Sequence, residues 1–168
     1  MEEAAMKCMK CGGSMTSRQE TRRAYAGLEG VIVEGVQVRH CPACGEEEIS
    51  YSNVEQLHMT LALQLAQKEA GLTPREIRFL RTYLGLSGSD LARHMGVTKE
   101  TVSRWERIDK PLAMGPMAER LLRLMAVREQ PVKEYPLERL EHVATTEATP
   151  LRVRLKPKKQ GWTVELSA

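Results

Sequence analysis

The stretch LSGSDLARHMGVTKETVSRWE, residues 86–106, decides how the middle of this chain is read. Ser87 opens SGSD, and the run LARHM from Leu91 ends at Gly96, which marks a short helix. After Val97, Thr98 caps a further helix, KETVSRWER from Lys99. In that helix Val102 and Trp105 fall three apart and, with Val97, turn inward. Trp105 is then a wedge in the core, while Lys99, Glu100, Thr101, Ser103 and Arg104 stay on or near the outer side. A helix also precedes this pair. In TPRE, Thr73 is an N-cap, Pro74 takes the first helical position and Glu76 completes a capping box. That helix buries Ile77, Leu80 and Leu84 and stops at Gly85. Beyond a break at Lys110 and Pro111, MAERLLRLMAVRE from Met117, opened by Pro116, supplies another helix.

Two short helices joined across a glycine, with an apolar residue just after it, are the sequence form of a helix-turn-helix. The outer face of the second helix has short Thr and Ser side chains at its start and one long Arg104. Such a face suits the major groove of B-DNA. Arginine there donates two hydrogen bonds to guanine O6 and N7, which gives about 1–3 kcal/mol of discrimination. The candidate DNA-contacting residues are Thr98, Lys99, Glu100, Thr101, Ser103 and Arg104, with Ser87 and Ser89 at a helix N-terminus where free N–H groups can hold a phosphate.

All four cysteines lie near the start, as Cys8-Met-Lys-Cys11 and Cys41-Pro-Ala-Cys44-Gly45. Each Cys-x-x-Cys turn aims two thiolates at one point, and two such turns complete a tetrahedron around a single structural zinc ion. The gap over residues 12–40 exceeds the common spacing of about 15–20 and must contain structure. TRRAYA from Thr21 and GVIVEGVQVRH from Gly30 read as strands with glycine turns or bulges that return the second turn to the first. An iron site of rubredoxin type shares the CPxCG form and is the main rival. Residues 1–71 hold only Tyr25 and Tyr51 as aromatics, too few for the shell that keeps an electron-transfer iron dry. Paired disulfides and a thioredoxin-like redox motif fit less well. Four thiolates leave no open coordination position, so the ion is expected to hold shape and not to catalyse.

The net charge of +3 hides an asymmetry: residues 1–71 hold 7 basic and 10 acidic side chains, residues 72–130 hold 11 and 7, and residues 131–168 hold 7 and 5. Thiolates around zinc make the front more acidic still, with Glu46, Glu47 and Glu48 behind the second turn, a surface that repels nucleic acid and attracts a basic protein. No apolar run approaches the roughly 18 residues that span a bilayer, and MEEAAMK has no signal-peptide core, so a soluble cytoplasmic protein is expected. No His-Glu-x-x-His, phosphate-binding glycine loop or Ser/His/Asp set appears, so no enzyme is expected, and His40, His58, His94 and His142 are scattered.

Between the halves, SNVEQLHMTLALQLAQKEA from Ser52 places Val54, Leu57, Leu61 and Leu65 at helical spacing, with Ser52 or Asn53 as cap and Gly71 as stop. His58 beside that stripe is expected to pack and not to ligate. At the other end, YPLERLEHVATTEATP from Tyr135 reads as a loop or short helix and then a linker. LRVRL from Leu151 and WTVEL from Trp162 alternate strictly around KPKKQG. A hairpin with Leu151, Val153, Leu155, Trp162, Val164 and Leu166 on one face must pack on something, because an isolated hairpin is marginal in water. Lys156, Lys158 and Lys159 at its tip read as a solvated turn.

The sequence LTPRE followed by LSGSDLARHMGVTKETVSRWE resembles the phage-repressor (Cro/CI, or XRE) class of helix-turn-helix. Preceded by a two-turn zinc module of YgiT type, the whole is similar to the MqsA family of antitoxins over roughly residues 6–130. The resemblance implies a zinc module that binds an mRNA-cleaving ribonuclease toxin, a helix-turn-helix module that forms a homodimer, and repression of its own operon at a palindrome in double-stranded DNA. It carries the four cysteines over as metal ligands and Arg104 as a base reader. Where the family places an Asn, this chain has Glu100, so its operator is expected to differ. A standalone regulator without a toxin shares the same architecture. The expected fold class is α+β, mostly α, with a zinc-binding β module over 1–51 and a linker helix over 52–71. A helix-turn-helix domain of five-helix type follows over 72–130, then a tail with a β-hairpin over 131–168. With its own apolar residues, the helical part is expected to stay folded when a cysteine is lost.

Overall fold

The computed structural model describes residues 6–128, 148–159 and 161–166 of the chain. The loop or short helix expected from Tyr135 lies outside them, as does His142. The chain is α+β, with five helices and a five-stranded sheet among the described residues.

The sheet is built around one long strand. β1 (Thr16–Arg23) and β2 (Val31–His40) form an antiparallel pair, joined through a short 3-10 turn at Tyr25–Gly27. β1 therefore begins five residues before the Thr21 expected from sequence; its polar residues give no alternation because most of them face solvent. In β2 the buried residues are Val31, Val33, Val36 and Val38, so the alternation slips by one at Glu34-Gly35. The slip is a β-bulge: Glu20 faces Val36 while Arg22 faces Val33, and Gly35 takes a φ of +70°. Without that extra residue Val36 and Val38 would point away from the core.

The bulge also divides the other edge of β2 between two partners. Beyond it, residues 37–40 pair antiparallel with β3 (Glu47–Ser50). Before it, Val31, Ile32 and Val33 pair in parallel with Val153, Arg154 and Leu155 of β4 (Val153–Pro157), which pairs antiparallel with β5 (Trp162–Leu166). The C-terminal strands are thus part of the N-terminal sheet. Leu151, Val153 and Leu155 are buried and Trp162 and Val164 are partly so, which answers where the apolar face of the hairpin goes. Lys156 is held by Glu165 at 3.1 Å and Glu34 at 4.0 Å, and the tip is closed by Lys158 N–H donating to the Gly161 carbonyl.

The helices are α1 (Val54–Gln67), which meets the sheet at β5, α2 (Pro74–Tyr83), α3 (Gly88–Met95), α4 (Lys99–Trp105) and α5 (Pro116–Arg128). α1 buries Leu57, Leu61 and Leu65, while Val54, at the start of the stripe, is exposed. It packs on α5 and α2, so residues 72–130 supply four helices and the connector supplies the fifth. Asn53 stands at its N-cap in a left-handed conformation, but no side chain caps it. α1 ends at Gln67 and not at Gly71, because Lys68 turns extended there and the carbonyls that follow have other partners. Arg123 of α5, fully buried, donates to the carbonyls of Ala66, Lys68 and Ala70 and to Glu119. Glu119 in turn accepts the Leu72 N–H at 2.9 Å. A charged pair placed four apart on α5 therefore caps the end of α1.

The expected capping box of α2 is present and is used further. The Glu76 carboxylate, 2% exposed, accepts the Thr73 N–H at 2.7 Å, the Lys68 ammonium at 2.5 Å and the Leu151 N–H at 2.6 Å. Lys68 also donates to the Thr149 carbonyl. Burial pushes the Lys68 pKa below its ordinary value, against the pull of Glu76. Around α1 a second polar contact is set among aromatic rings: the Tyr25 hydroxyl lies 2.9 Å from His58 Nε2, Tyr51 packs edge-on to Tyr25 at 4.9 Å, and Phe79 packs edge-on to His58 at 5.8 Å. His58 is a packing residue, as expected.

Removing the Glu76 carboxylate leaves a buried ammonium and two buried N–H groups unpaired. Glu76→Ala is expected to lower stability by about 3–5 kcal/mol in denaturant unfolding, far more than loss of a capping box alone. Burial also lowers the His58 pKa. The folded chain therefore binds fewer protons at His58 than the unfolded chain does, so its contribution is complete above the unfolded value of about 6.5 and declines as pH falls through it. Unfolding free energy measured against pH should show this decline, and His58→Gln should flatten it.

Candidate functional site

The strand register is what brings the cysteines together. Thr16, at the start of β1, faces His40 at the end of β2, and His40 faces Glu47 at the start of β3. The first Cys-x-x-Cys turn leads into that end of β1, and the second sits between β2 and β3. Both turns have the same backbone bonding. Gly12 N–H donates to the Cys8 carbonyl and Cys8 N–H to the Gly13 carbonyl, each at 2.8 Å. Gly45 N–H donates to the Cys41 carbonyl at 2.8 Å and Cys41 N–H to the Glu46 carbonyl at 2.9 Å. Gly12 and Gly45 take φ values of +74° and +75°, a region that costs a residue with a Cβ about 1 kcal/mol or more.

The four sulfurs lie within 4.8 Å of one another, and those of Cys8 and Cys44 are 3.7 Å apart, those of Cys11 and Cys41 3.5 Å. A metal–sulfur distance of about 2.3 Å in a tetrahedron requires edges of about 3.8 Å, so this donor set fits one four-coordinate ion. Cys8 and Cys41 are buried, Cys11 and Cys44 exposed, and Gly13 lies against the sulfurs of Cys11 and Cys41 with little room for a side chain. Their proximity splits their ionisation. Burial opposes ionisation of Cys41, but the Cys44 and Ala43 N–H groups and the Cys11 thiol bring it down to about 7. At Cys44 the Glu46 N–H favours the thiolate, yet the crowd of neighbouring sulfurs and burial push it up to about 12. Four thiolates cannot coexist at this spacing unless a cation neutralises them.

The acidic run behind the second turn is paired. Lys10 meets Glu46 at 3.1 Å, Arg18 meets Glu47 at 3.1 Å, and Arg39 meets Glu48 at 3.5 Å. The acidic residues at this end are therefore laced with arginine and lysine from neighbouring strands, which the segment charge does not reveal.

In the helical part, Ser87 caps α3 with a full capping box, Gly96 ends α3 at a φ of +66°, and Thr98 caps α4. Val102 and Trp105 are buried, Val97 is partly buried, and Lys99, Glu100, Ser103 and Arg104 are exposed. Thr101 is half-buried, its N–H donating to Thr98. Lys99, Glu100, Ser103 and Arg104, with Arg107, line a shallow surface concavity. The hydroxyl and N–H of Ser87 are both taken by Asp90, at 2.6 and 3.1 Å, while Ser89 is exposed.

One residue of this region carries a position that sequence reasoning left unassigned. Glu106, just after Trp105, is 7% exposed and receives Arg81 in a two-pronged contact, Nε at 2.5 Å and a terminal nitrogen at 2.9 Å, with Arg78 at 3.3 Å. Arg81 also donates to the Leu86 carbonyl at 2.9 Å. This clamp fixes the end of α4 to α2 and so sets where Arg104 points. The signal available in sequence was an acidic residue ending a basic helix, which is indistinguishable from a surface charge.

A family model described as the antitoxin component of a bacterial toxin–antitoxin system, MqsA, matches residues 6–131. No characterised protein and no solved structure gives a significant match. No helix among the described residues is long and apolar enough to cross a membrane. The matched span takes in both cysteine turns and all five helices and leaves out β4 and β5. With four sulfurs gathered for one ion and the family model covering most of its length, the chain belongs to the MqsA antitoxin family.

Proposed function

We propose that this chain is a dimeric, DNA-binding antitoxin of the cytoplasm: one structural zinc shapes its front module, α4 reads a palindromic operator, and the front module neutralises a ribonuclease toxin. The observation that carries the DNA reading is the two-sidedness of α4. Its buried side, Val102 and Trp105, and the Glu106 clamp leave Arg104 no route inward, and Lys99, Ser103 and Arg107 flank it on the exposed side. A short helix fixed at both ends with an outward guanidinium suits bidentate readout of guanine in the major groove. Glu100 beside it would accept from cytosine N4. Of the phosphate contacts, Ser89 is the freer, since Asp90 occupies Ser87.

Support for a dimer comes from α5, where Met117, Leu121 and Leu124 are exposed at spacings of four and three, an apolar stripe opposite the buried Leu122 and Ala126. A second copy over that stripe would present two α4 helices to half-sites about 34 Å apart. Zinc is favoured by the closed set of four sulfurs and, among the described residues, by the placement of the front module's aromatic rings: Tyr25 packs with Tyr51 and His58. For the toxin, the paired front carboxylates imply exchange: a basic partner would replace Lys10, Arg18 and Arg39, whose pairs are exposed and easily broken.

Footprinting on DNA upstream of its own gene should show protection of two half-sites, and absence of protection at low salt would remove this reading. Arg104→Ala should lose about 1–3 kcal/mol of operator discrimination with unchanged thermal stability. Elemental analysis of the purified chain should find one zinc per chain in a colourless solution; red iron–thiolate absorption would point to the redox alternative.

A further inference from the structure

We infer that the C-terminal hairpin is a strap that makes the metal module and the helices one cooperative unit, so that an ion held by the four cysteines stabilises the helix carrying Arg104. The inference rests on the metal reading above.

The connection can be followed residue by residue. β2 enters the metal site directly, since Cys41 follows His40, and its other half carries β4 in parallel pairing. β4 is anchored where it begins. Val153 N–H donates to the Gly30 carbonyl at 3.0 Å, and just upstream Leu151 N–H donates to Glu76 at 2.6 Å. Glu76 caps α2, and α2 holds the end of α4 through Arg81 and Glu106. Arg75, beside Glu76, reaches back to the Gly27 carbonyl at 3.0 Å. The same path is apolar throughout: Val31 and Val33 of the sheet, Leu151, Val153 and Leu155 of the strap, and Leu57, Ile77 and Leu80 of the helices belong to one buried cluster. Among the described residues the buried apolar side chains form one cluster that takes in both sheet and helices, which opposes the independence expected from sequence.

The strap lies beyond the residues that the family model matches. Free energy from metal binding is shared by every residue that unfolds in the same step. If the strap joins the halves, removal of the ion must loosen α4; if it does not, only the front module should loosen.

Gly30 offers a selective way to lift the strap. A Cβ built there would lie 2.0 Å from the Leu151 carbonyl oxygen, a backbone atom that cannot turn aside. Gly30 itself has no positive φ, so alanine conflicts with the strap and not with the local backbone.

The test is amide hydrogen exchange on the full chain, zinc-loaded and then stripped with a chelator, in the wild type and in Gly30→Ala. In the wild type, stripping should reduce protection at Val102 and Trp105 by about the same factor as at Val36 and Val38, at least roughly tenfold. In Gly30→Ala, stripping should reduce protection only in the sheet. Wild-type helices whose protection ignores the ion would overturn the proposal. Helices of Gly30→Ala that lose protection on stripping as the wild type does would also overturn it, and should that variant not fold, Leu155→Ala, which weakens the strap's buried face without a backbone clash, takes its place with the same two outcomes. A wild-type chain that binds no divalent metal would overturn the metal reading and this proposal with it.

Discussion

A buried carboxylate with three simultaneous obligations organises this molecule. Glu76 caps the helix it begins, neutralises Lys68 at the end of α1, and accepts the N–H of Leu151 where the C-terminal strands enter the sheet. Each partner comes from a different part of the chain. None can leave without exposing the others to a low-dielectric site with an uncompensated charge or an unpaired N–H, so the three segments hold their mutual positions together. A similar logic operates next to it, where Arg123 collects the carbonyls that α1 leaves open. Buried charge in this protein closes the joints between elements that a purely apolar contact would let slide.

Two electrostatic problems have opposite solutions. In the front module, four sulfurs are brought so close that their ionisation is spread from about 7 at Cys41 to about 12 at Cys44, a donor set that could hold a metal ion. At α4, positive charge is left without such closure. Arg81 is spent inside on Glu106, while Lys99, Arg104 and Arg107 are turned out around a shallow concavity. The first arrangement suits a cation; the second leaves cations exposed. Beside the sulfurs, the acidic run at Glu46, Glu47 and Glu48 is matched by bases, so the charge contrast between the halves is milder on the folded surface than along the chain.

The elements that were legible in sequence are those governed by neighbours. The capping box at Thr73, the helix start at Ser87, the cap at Thr98 and the stop at Gly96 involve residues within four positions, and each is found where the residue pattern placed it. The inward turn of Val102 and Trp105 follows from helical spacing alone, and the four cysteines converge because paired Cys-x-x-Cys-Gly turns have one efficient use. The end of α1 was misplaced by four residues because Lys68 leaves the helix to reach Glu76, a contact invisible to local propensity. The start of β1 was missed for a related reason. An edge strand exposed on nearly every residue shows no alternation, and only its pairing with β2 makes it a strand.

The amino-acid order alone determined the two cysteine turns, the caps, the helix faces and the existence of a hairpin with one apolar side, since each depends on contacts over a few bonds or a regular repeat. Only the tertiary structure decided that this hairpin completes the N-terminal sheet, that α1 is the fifth helix of the bundle, and that Glu106 is a clamp and not a surface charge. Those outcomes depend on partners from 25 to more than a hundred residues away. For such pairs the energy of meeting is set by burial and charge compensation in the finished fold, which no local pattern encodes.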